Sequence, residues 1–481
     1  MVLSHLPIVL GVDVGTSGVR SLAVTAEGDV LAEARAALSD LPATGSAHEQ
    51  DANVWWRAVC QTLKELQKSL QASSCWSRTA GIAVTSTSGS LVLADSQGDP
   101  VRPAMLYDDG RAAAVASEFH RRLPAAQAPV NASFSLAKAL WVRQEEPAIW
   151  ERASYILHPA DWLTAKLTGQ WGVSDYSNAL KLGYDQEKSA WNAAVGLAGL
   201  PASMLPRIVA PGHQVGAVSA RASEESGLPA GVPVLAGASD GLASLIGSGA
   251  SNTGHANTTL GTTLVWKVLV PTKPRLGPGM YCHYLPSNLW APGAASNTGP
   301  GALQFEEQGV APAEMDRRAA AYLPTSIQCY LLGARGERFP FHNPQAETFF
   351  DGPPASPSER YAAQLQSLAC VERWGYERLE ACGVTVGGEV FSAGGAAASA
   401  VLSQLRAHVL NRTVVRCANS TASFGAAILA AGTTLFGGDL TAAIRSMTRI
   451  IESYPPELDA VEKFEETYHL FRSACARHGF A

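Results

Sequence analysis

The chain has 481 residues, 47% of them hydrophobic and 16% charged, so it can bury a large core and should divide into at least two domains. A formal net charge of -6 and an isoelectric point near 6.0 exclude a general attraction for nucleic acid or anionic membrane, which leaves a small molecule as the expected partner. No segment approaches the run of about 20 apolar residues that spans a bilayer.

The apolar residues 7–10 are too few for a signal-peptide core, so the expected location is cytoplasmic, or an organelle where a targeting extension has been removed. A monomer or homodimer is expected. Cysteines at 60, 75, 282, 329, 370, 382, 417 and 475 include no Cys-x-x-Cys pair, and the eleven histidines form no His-Glu-x-x-His. The thiols are therefore expected to be small buried hydrophobes in a reducing compartment, and no metal cage built from protein ligands alone is expected.

In chain order, residues 8–13 read as a buried strand, 15–18 as a tight turn and 19–25 as a returning strand, with Val19, Ser21 and Ala23 alternating against Arg20, Leu22 and Val24. Glu27-Gly28-Asp29 turns the chain into a third strand at 30–34, giving an antiparallel meander that opens an α/β domain. The turn Asp13-x-Gly15-Thr16-Ser17-Gly18 has small residues where backbone can approach oxygen atoms, and hydroxyls at Thr16 and Ser17 to donate to them. It reads either as an ordinary hairpin or as a phosphate-binding turn, with Asp13 orienting a magnesium ion through water.

Val54, Trp55, Ala58, Val59, Leu63, Leu66 and Leu70 recur at helical spacing over 53–70, and Trp55-Trp56 reads as packing rather than a sugar platform. A buried strand follows at 81–84, with 91–94 expected to continue it and 96–100 to close a hairpin; helices are expected at 112–123 and 137–144. Thr85-Ser86-Thr87-Ser88-Gly89 and Tyr107-Asp108-Asp109-Gly110-Arg111 supply hydroxyls and carboxylates suited to a polyol; a plain turn and a loop tip are the other readings.

Asp240, in Gly237-Ala238-Ser239-Asp240-Gly241, is placed either to cap a helix over 241–246 or to take a proton from a hydroxyl, and both roles are compatible. Residues 256–265 echo the opening motif with Gly261-Thr262-Thr263 in place of Gly15-Thr16-Ser17. Such a duplication predicts two similar domains facing one cleft, 1–248 and 249–481, joined near 247–254. In the second, 353–358 reads as an exposed loop, 361–382 as a long helix, 390–391 as a strand, and 396–410 as a helix after Gly394-Gly395, which serves as a helix-start cap or as an adenosine contact. A carboxylate among small residues, together with glycine turns able to wrap phosphates, is the pairing that phosphoryl transfer needs.

These pieces together resemble the FGGY carbohydrate kinases, of actin-like, RNase H-like duplicated fold. The likeness runs through the opening Asp13 turn, Glu49-Gln50-Asp51 with Trp55-Trp56, residues 174–180, Asp240, Leu260-Gly261-Thr262-Thr263, Gly336-Glu337-Arg338-Phe339-Pro340 and Gly394-Gly395. Ser86-Thr87-Ser88-Gly89, Ala160-Asp161-Trp162-Leu163, residues 174–185 and Ala295-Ser296-Asn297-Thr298-Gly299 are most similar to the plant and cyanobacterial D-ribulose kinase branch, since D-xylulose kinases typically carry a Gln-Met-His-Gly turn where this chain has Thr87-Ser88-Gly89.

The resemblance implies ATP- and Mg²⁺-dependent phosphorylation of a ketopentose at C5: D-ribulose first, D-xylulose or another polyol as the alternative. By resemblance Asp240 is the catalytic base, and Asp13 is a second catalytic carboxylate that organises metal and phosphate. Thr87, Ser88 and Gly89, with Asp13 and Asp240, fall on the sugar side; Thr16, Ser17, Gly261, Thr262, Thr263, Gly394, Gly395 and Ser399 fall on the nucleotide side. Ala396, Ser399 and Leu402 replace the family's third glycine, Asn and aromatic residue, and Thr421 replaces an acidic residue. That altered turn keeps a rival of another class in view, an idle sugar sensor.

Overall fold

The computed structural model describes residues 6–42, 45–71, 75–123, 130–305 and 309–480. The chain forms two compact units, Met1–Gly247 with Thr421–Met447, and Ser248–Ser420 with Thr448–Ala481. The units are not consecutive halves, because residues 421–447 belong to the first.

The first unit contains β1 (Ile8–Val14), β2 (Gly18–Thr25), β3 (Val30–Ala37), α1 (Ala52–Ser69), β4 (Thr79–Ser86), β5 (Gln214–Ala217), β6 (Pro233–Leu235) and α2 (Asp240–Gly247). Among the described residues its main sheet has the order β5-β6-β4-β1-β2-β3. Central β1 pairs antiparallel with β2 and parallel with β4, so both of its faces are covered and its sequence is a nearly unbroken apolar run. The exception is Asp13, whose neighbours in register are Arg20 and Thr85. Asp51 caps α1 by accepting from Asn53 N at 2.9 Å, and the helix buries Trp55, Val59, Leu63 and Leu66.

Residues 91–94 do not extend the main sheet as expected. Val92–Ala94 pairs antiparallel with Tyr155–Leu157, and its side chains alternate between two cores: Val92 and Ala94 into that of the main sheet, Leu91 and Leu93 into another with Leu136, Leu140 and Ile156. Turn chemistry at 86–90 identified the reversal but not the partner strand.

The second unit contains β7 (Ala256–Leu260), β8 (Leu264–Val268), β9 (Met280–Tyr284), β10 (Trp290–Ala295), α3 (Pro357–Glu380), β11 (Glu389–Ala393), α4 (Ala400–Leu410), β12 (Thr413–Cys417) and β13 (Ile450–Tyr454). Its main sheet runs β9-β10-β8-β7-β11-β12-β13. Here β7 pairs antiparallel with β8 and parallel with β11, which repeats the relation of β1 to β2 and β4. The expected loop at 353–358 ends earlier, since Ser356 caps α3 and Pro357 opens it. The expected helix over 396–410 is divided: Gly395–Ala398 is a short 3₁₀ turn, and α4 starts afresh after the cap Ser399.

The helix Ala422–Thr434 carries apolar or small residues on every side and is buried along most of its length. It touches β1 and α2 at backbone distance. A Cβ on Gly11 would lie 1.9 Å from Ser423 O, and one on Gly425 would lie 1.8 Å from Ala243 O. Glycine at both places lets one helix seat the strand that carries Asp13 and the helix that starts at Asp240. Gly425→Ala should therefore lower unfolding stability by about 1–3 kcal/mol or more, measured as a drop in the urea midpoint; an unchanged midpoint would show that the contact yields easily.

Candidate active site

Asp13, at the end of β1, is half-buried, but its Oδ1 has no hydrogen-bond partner among the described residues and no exposure to solvent. Burial pushes its carboxyl up to about 7, the nearby Asp240 carboxylate adds to the rise, and Arg20 opposes it. Arg20 is shared with Glu33, its Nη2 donating to Glu33 Oε2 at 3.0 Å. Two carboxylates that disfavour each other's charge and an orphaned buried oxygen suit a hard cation with oxygen ligands. Among the described residues no group of three or more His, Cys, Asp or Glu comes together to hold a metal. Asp13, with Asp240 beside it, would fit a hydrated magnesium ion.

Asp240 is the first residue of α2 rather than the residue that caps it: the Ser239 carbonyl accepts from Leu242 N at 3.0 Å and Ala243 N at 2.9 Å. Its Oδ1 accepts from Gly241 N at 2.7 Å, so the carboxylate sits at the positive end of the helix. The segment before it is tied to β4. Ser86 and Ser239 form a parallel bridge, Thr85 Oγ1 donates to Ala238 O at 2.5 Å, and a Cβ on Gly237 would lie 1.6 Å from Val84 O. The carboxyl ends of β1 and β4 and the start of α2 therefore share one edge, where α/β sheets place ligands.

The opening turn closes through Gly15 N donating to Gly18 O at 3.0 Å, and Gln50 Nε2 donates to Thr16 O at 2.7 Å. The hydroxyls of Thr16 and Ser17 have no partner among the described residues. A Cβ on Gly15 would meet only Gly18 O at 3.6 Å, so the fold itself leaves room there.

In the turn expected to face sugar, Gly89 has φ +92 and a Cβ there would lie 2.1 Å from Ser133 O, so this turn requires glycine. Lys181 Nζ donates to Ser88 O at 2.8 Å, and the Thr87 and Ser90 hydroxyls bond each other at 2.9 Å. Thr87 is thus engaged within its own turn, whereas Ser88 offers an uncommitted hydroxyl. Asp109, in the expected polyol loop, is fully buried and bonded to Arg111 and His48 N, so that part of the loop is structural.

In the second unit the ends of β7 and β11 lie side by side: Gly394 has φ +88, and a Cβ there would lie 2.4 Å from Leu260 O. This sets the end of β7, immediately before Gly261, against Gly394. Gly394 and Gly395 are exposed, and a Cβ on Gly395 would meet nothing within 4 Å. Ser399 Oγ accepts from Leu402 N at 3.0 Å, which engages it in the cap of α4. Beneath these turns, buried Arg406 bonds Glu372 through Nε at 2.6 Å and Nη2 at 2.7 Å, while its Nη1 donates to Ser392 Oγ at 2.6 Å. Glu337 is buried and accepts from Ser296 Oγ at 2.6 Å and Asn297 N at 2.7 Å, shaping the loop against which Thr262 and Thr263 rest.

Sequence reasoning missed Lys138 and gave Asp175 no role beyond its place in the family-like run 174–180. Lys138 is wholly buried, donates to Ala132 O at 2.6 Å and Tyr107 O at 3.2 Å, and burial with Lys181 nearby pushes it down to about 7; a lone lysine among Leu136, Ala137, Ala139 and Leu140 was the available signal. Asp175, whose carboxyl burial and nearby Asp161 push up to about 6, lies in a polar cluster with Ser177 and Asn178.

Residues 8–247 match the N-terminal domain, and residues 257–433 the C-terminal domain, of the FGGY family of carbohydrate kinases. The chain belongs to that family. It is 27% identical to a xylulose kinase of Staphylococcus epidermidis over 97% of this chain and 96% of that protein. It is 28% identical to the xylulose kinase of Escherichia coli over 80% and 82%. A crystal structure of a xylulose kinase from Brucella ovis superposes with a TM-score of 0.89 at 25% identity, over 98% of this chain and 100% of that one. The fold is thus the expected two-unit, actin-like α/β sugar-kinase architecture.

The Asp13 carboxyl yields a sign. Its folded value of about 7 lies above the unfolded 3.8, so its contribution to stability is full below about pH 4 and is lost as pH rises through about 7. Asp13→Asn should gain roughly 2–3 kcal/mol over the natural chain between pH 5 and pH 8 without divalent cation, measured by urea titration; a pH-independent difference would place the carboxyl in ordinary solvent.

Proposed function

We propose that the chain is an ATP- and Mg²⁺-dependent kinase that transfers a phosphoryl group to the C5 hydroxyl of a ketopentose, with D-xylulose the leading acceptor. The observation that carries this reading is Asp240 at the start of α2, beside an Asp13 whose Oδ1 is buried without a partner. Two named relatives, both xylulose kinases, support the choice of sugar over the D-ribulose read from sequence. D-ribulose is the second reading, favoured by Thr87-Ser88-Gly89, whose small side chains leave room where xylulose kinases typically carry larger ones.

In this reading Ser88 and Asp240 hold the sugar and Asp13 orients the phosphates. Asp240 accepts the proton of the C5 hydroxyl as its oxygen bonds to the γ-phosphorus and the bond to the ADP oxygen breaks. Backbone N–H groups and hydroxyls at Thr16, Ser17, Gly261, Thr262 and Thr263 receive phosphate oxygens, and the open face at Gly394-Gly395 receives adenosine. Magnesium, when bound, supplies charge neutralisation at the β- and γ-phosphates. Ser399 and Thr87 act indirectly, by holding the turns that carry their neighbours.

ADP release should depend on sugar, with kcat/KM highest for D-xylulose in a panel of ketoses and polyols; a higher value for D-ribulose would establish the second reading. Asp240→Ala should lower kcat by about a hundredfold or more with an unchanged circular dichroism spectrum. Near-normal turnover in that variant would refute the base assignment, and sugar binding without sugar-dependent ADP in the natural chain would favour an idle sensor.

A further inference from the structure

The polar cluster around Asp175 has more bonds than a helix cap requires, and one of them leads to the candidate base. Asp175 Oδ1 accepts from Ser177 N at 2.7 Å and Asn178 N at 3.2 Å, which already caps the short helix Tyr176–Ala179. Asn178 Nδ2 donates to Oδ2 at 2.6 Å, and the Ser177 hydroxyl also donates to Oδ1. Asp175, Ser177 and Asn178 are all buried. With its proton committed to Asp175, the Ser177 oxygen is left as an acceptor, and it takes the backbone N–H of Ser239 at 2.9 Å, 62 residues away.

Ser239 immediately precedes Asp240. Its own hydroxyl is buried with no partner among the described residues, and its carbonyl is taken up by Leu242 N and Ala243 N. The Ser177 oxygen holds the N–H of this peptide, while the Thr85 hydroxyl holds its carbonyl, Ala238 O, and the bridge to Ser86 ties the segment to β4 as the chain enters α2. Loss of the Ser177 acceptor would leave a buried N–H unpaired, which favours rotation of that peptide toward another partner. Rotation there re-aims the first side chain of α2, and proton transfer tolerates little misplacement.

We propose that Ser177, oriented by Asp175, is a positioning residue for Asp240, fixing the base through the Ser239 N–H. The proposal rests on the reading of Asp240 as base. Ser177→Ala should lower kcat by about tenfold or more while KM for sugar and ATP stays within about twofold. Ser177→Cys, which fills nearly the same space with a poor acceptor, serves as the variant that keeps packing and should show the same split. In an Asp240→Asn background Ser177→Ala should cause no further loss. Natural kcat in either folded Ser177 variant, or the same fold-loss in the Asp240→Asn background, overturns the proposal. Asp240→Ala measured alone separates the two failures: if it is inactive while Ser177→Ala is fully active, the base reading stands and the positioning role falls.

Discussion

The structure of the first unit depends on backbone-to-backbone packing of one helix, Ala422–Thr434, against β1 and α2. Gly11 and Gly425 remove the side chains that would hold these elements apart, and a Cβ on Gly247 would likewise lie 2.7 Å from Thr421 O. The helix comes from late in the chain, after most of the second unit has been traversed. Because the elements meet at backbone distance, the separation of Asp13 and Asp240 is set by main-chain positions rather than by adaptable side chains.

Electrostatics then explains why that separation matters. Burial, with the Asp240 carboxylate adding to it, raises the Asp13 carboxyl to about 7, and the fold leaves Asp13 Oδ1 without a partner among the described residues. Such a site is unfavourable to stability in isolation and favourable to a hydrated cation carrying phosphates. The glycines divide in the same sense. Gly11, Gly237, Gly394 and Gly425 are required by neighbouring backbone, whereas Gly15, Gly261 and Gly395 have room around them that the protein does not fill. Uncommitted hydroxyls at Thr16, Ser17, Ser88, Thr262 and Thr263 lie on or beside those open positions, while Thr87 and Ser399 are consumed by the fold.

What was legible in the sequence was what local pattern dictates. The strand-turn-strand of β1 and β2, its echo in β7 and β8, and the long helices α1 and α3 all follow from alternation, helical spacing and glycine. Asp13 and Asp240 were legible because a carboxylate among small residues breaks those patterns. Pairings that join distant segments were not. The helix over 422–434 was not read from the sequence, and 91–94 was expected to continue the strand at 81–84 rather than to pair with Tyr155–Leu157. Ser177 entered only as part of the family-like run 174–180, because its own role lies in a bond to Ser239, which no periodicity encodes. The preference for D-ribulose rested on one short turn, whereas the relatives that match most of the chain are xylulose kinases.

The most direct test of this account is the titration of the Asp13 carboxyl carbon by NMR in the folded, metal-free protein and in Asp240→Asn. A midpoint near 7 that falls when the neighbouring charge is removed is the expected result. A midpoint near 4 that ignores Asp240→Asn would mean that the two acids do not face each other, contradicting the site as described.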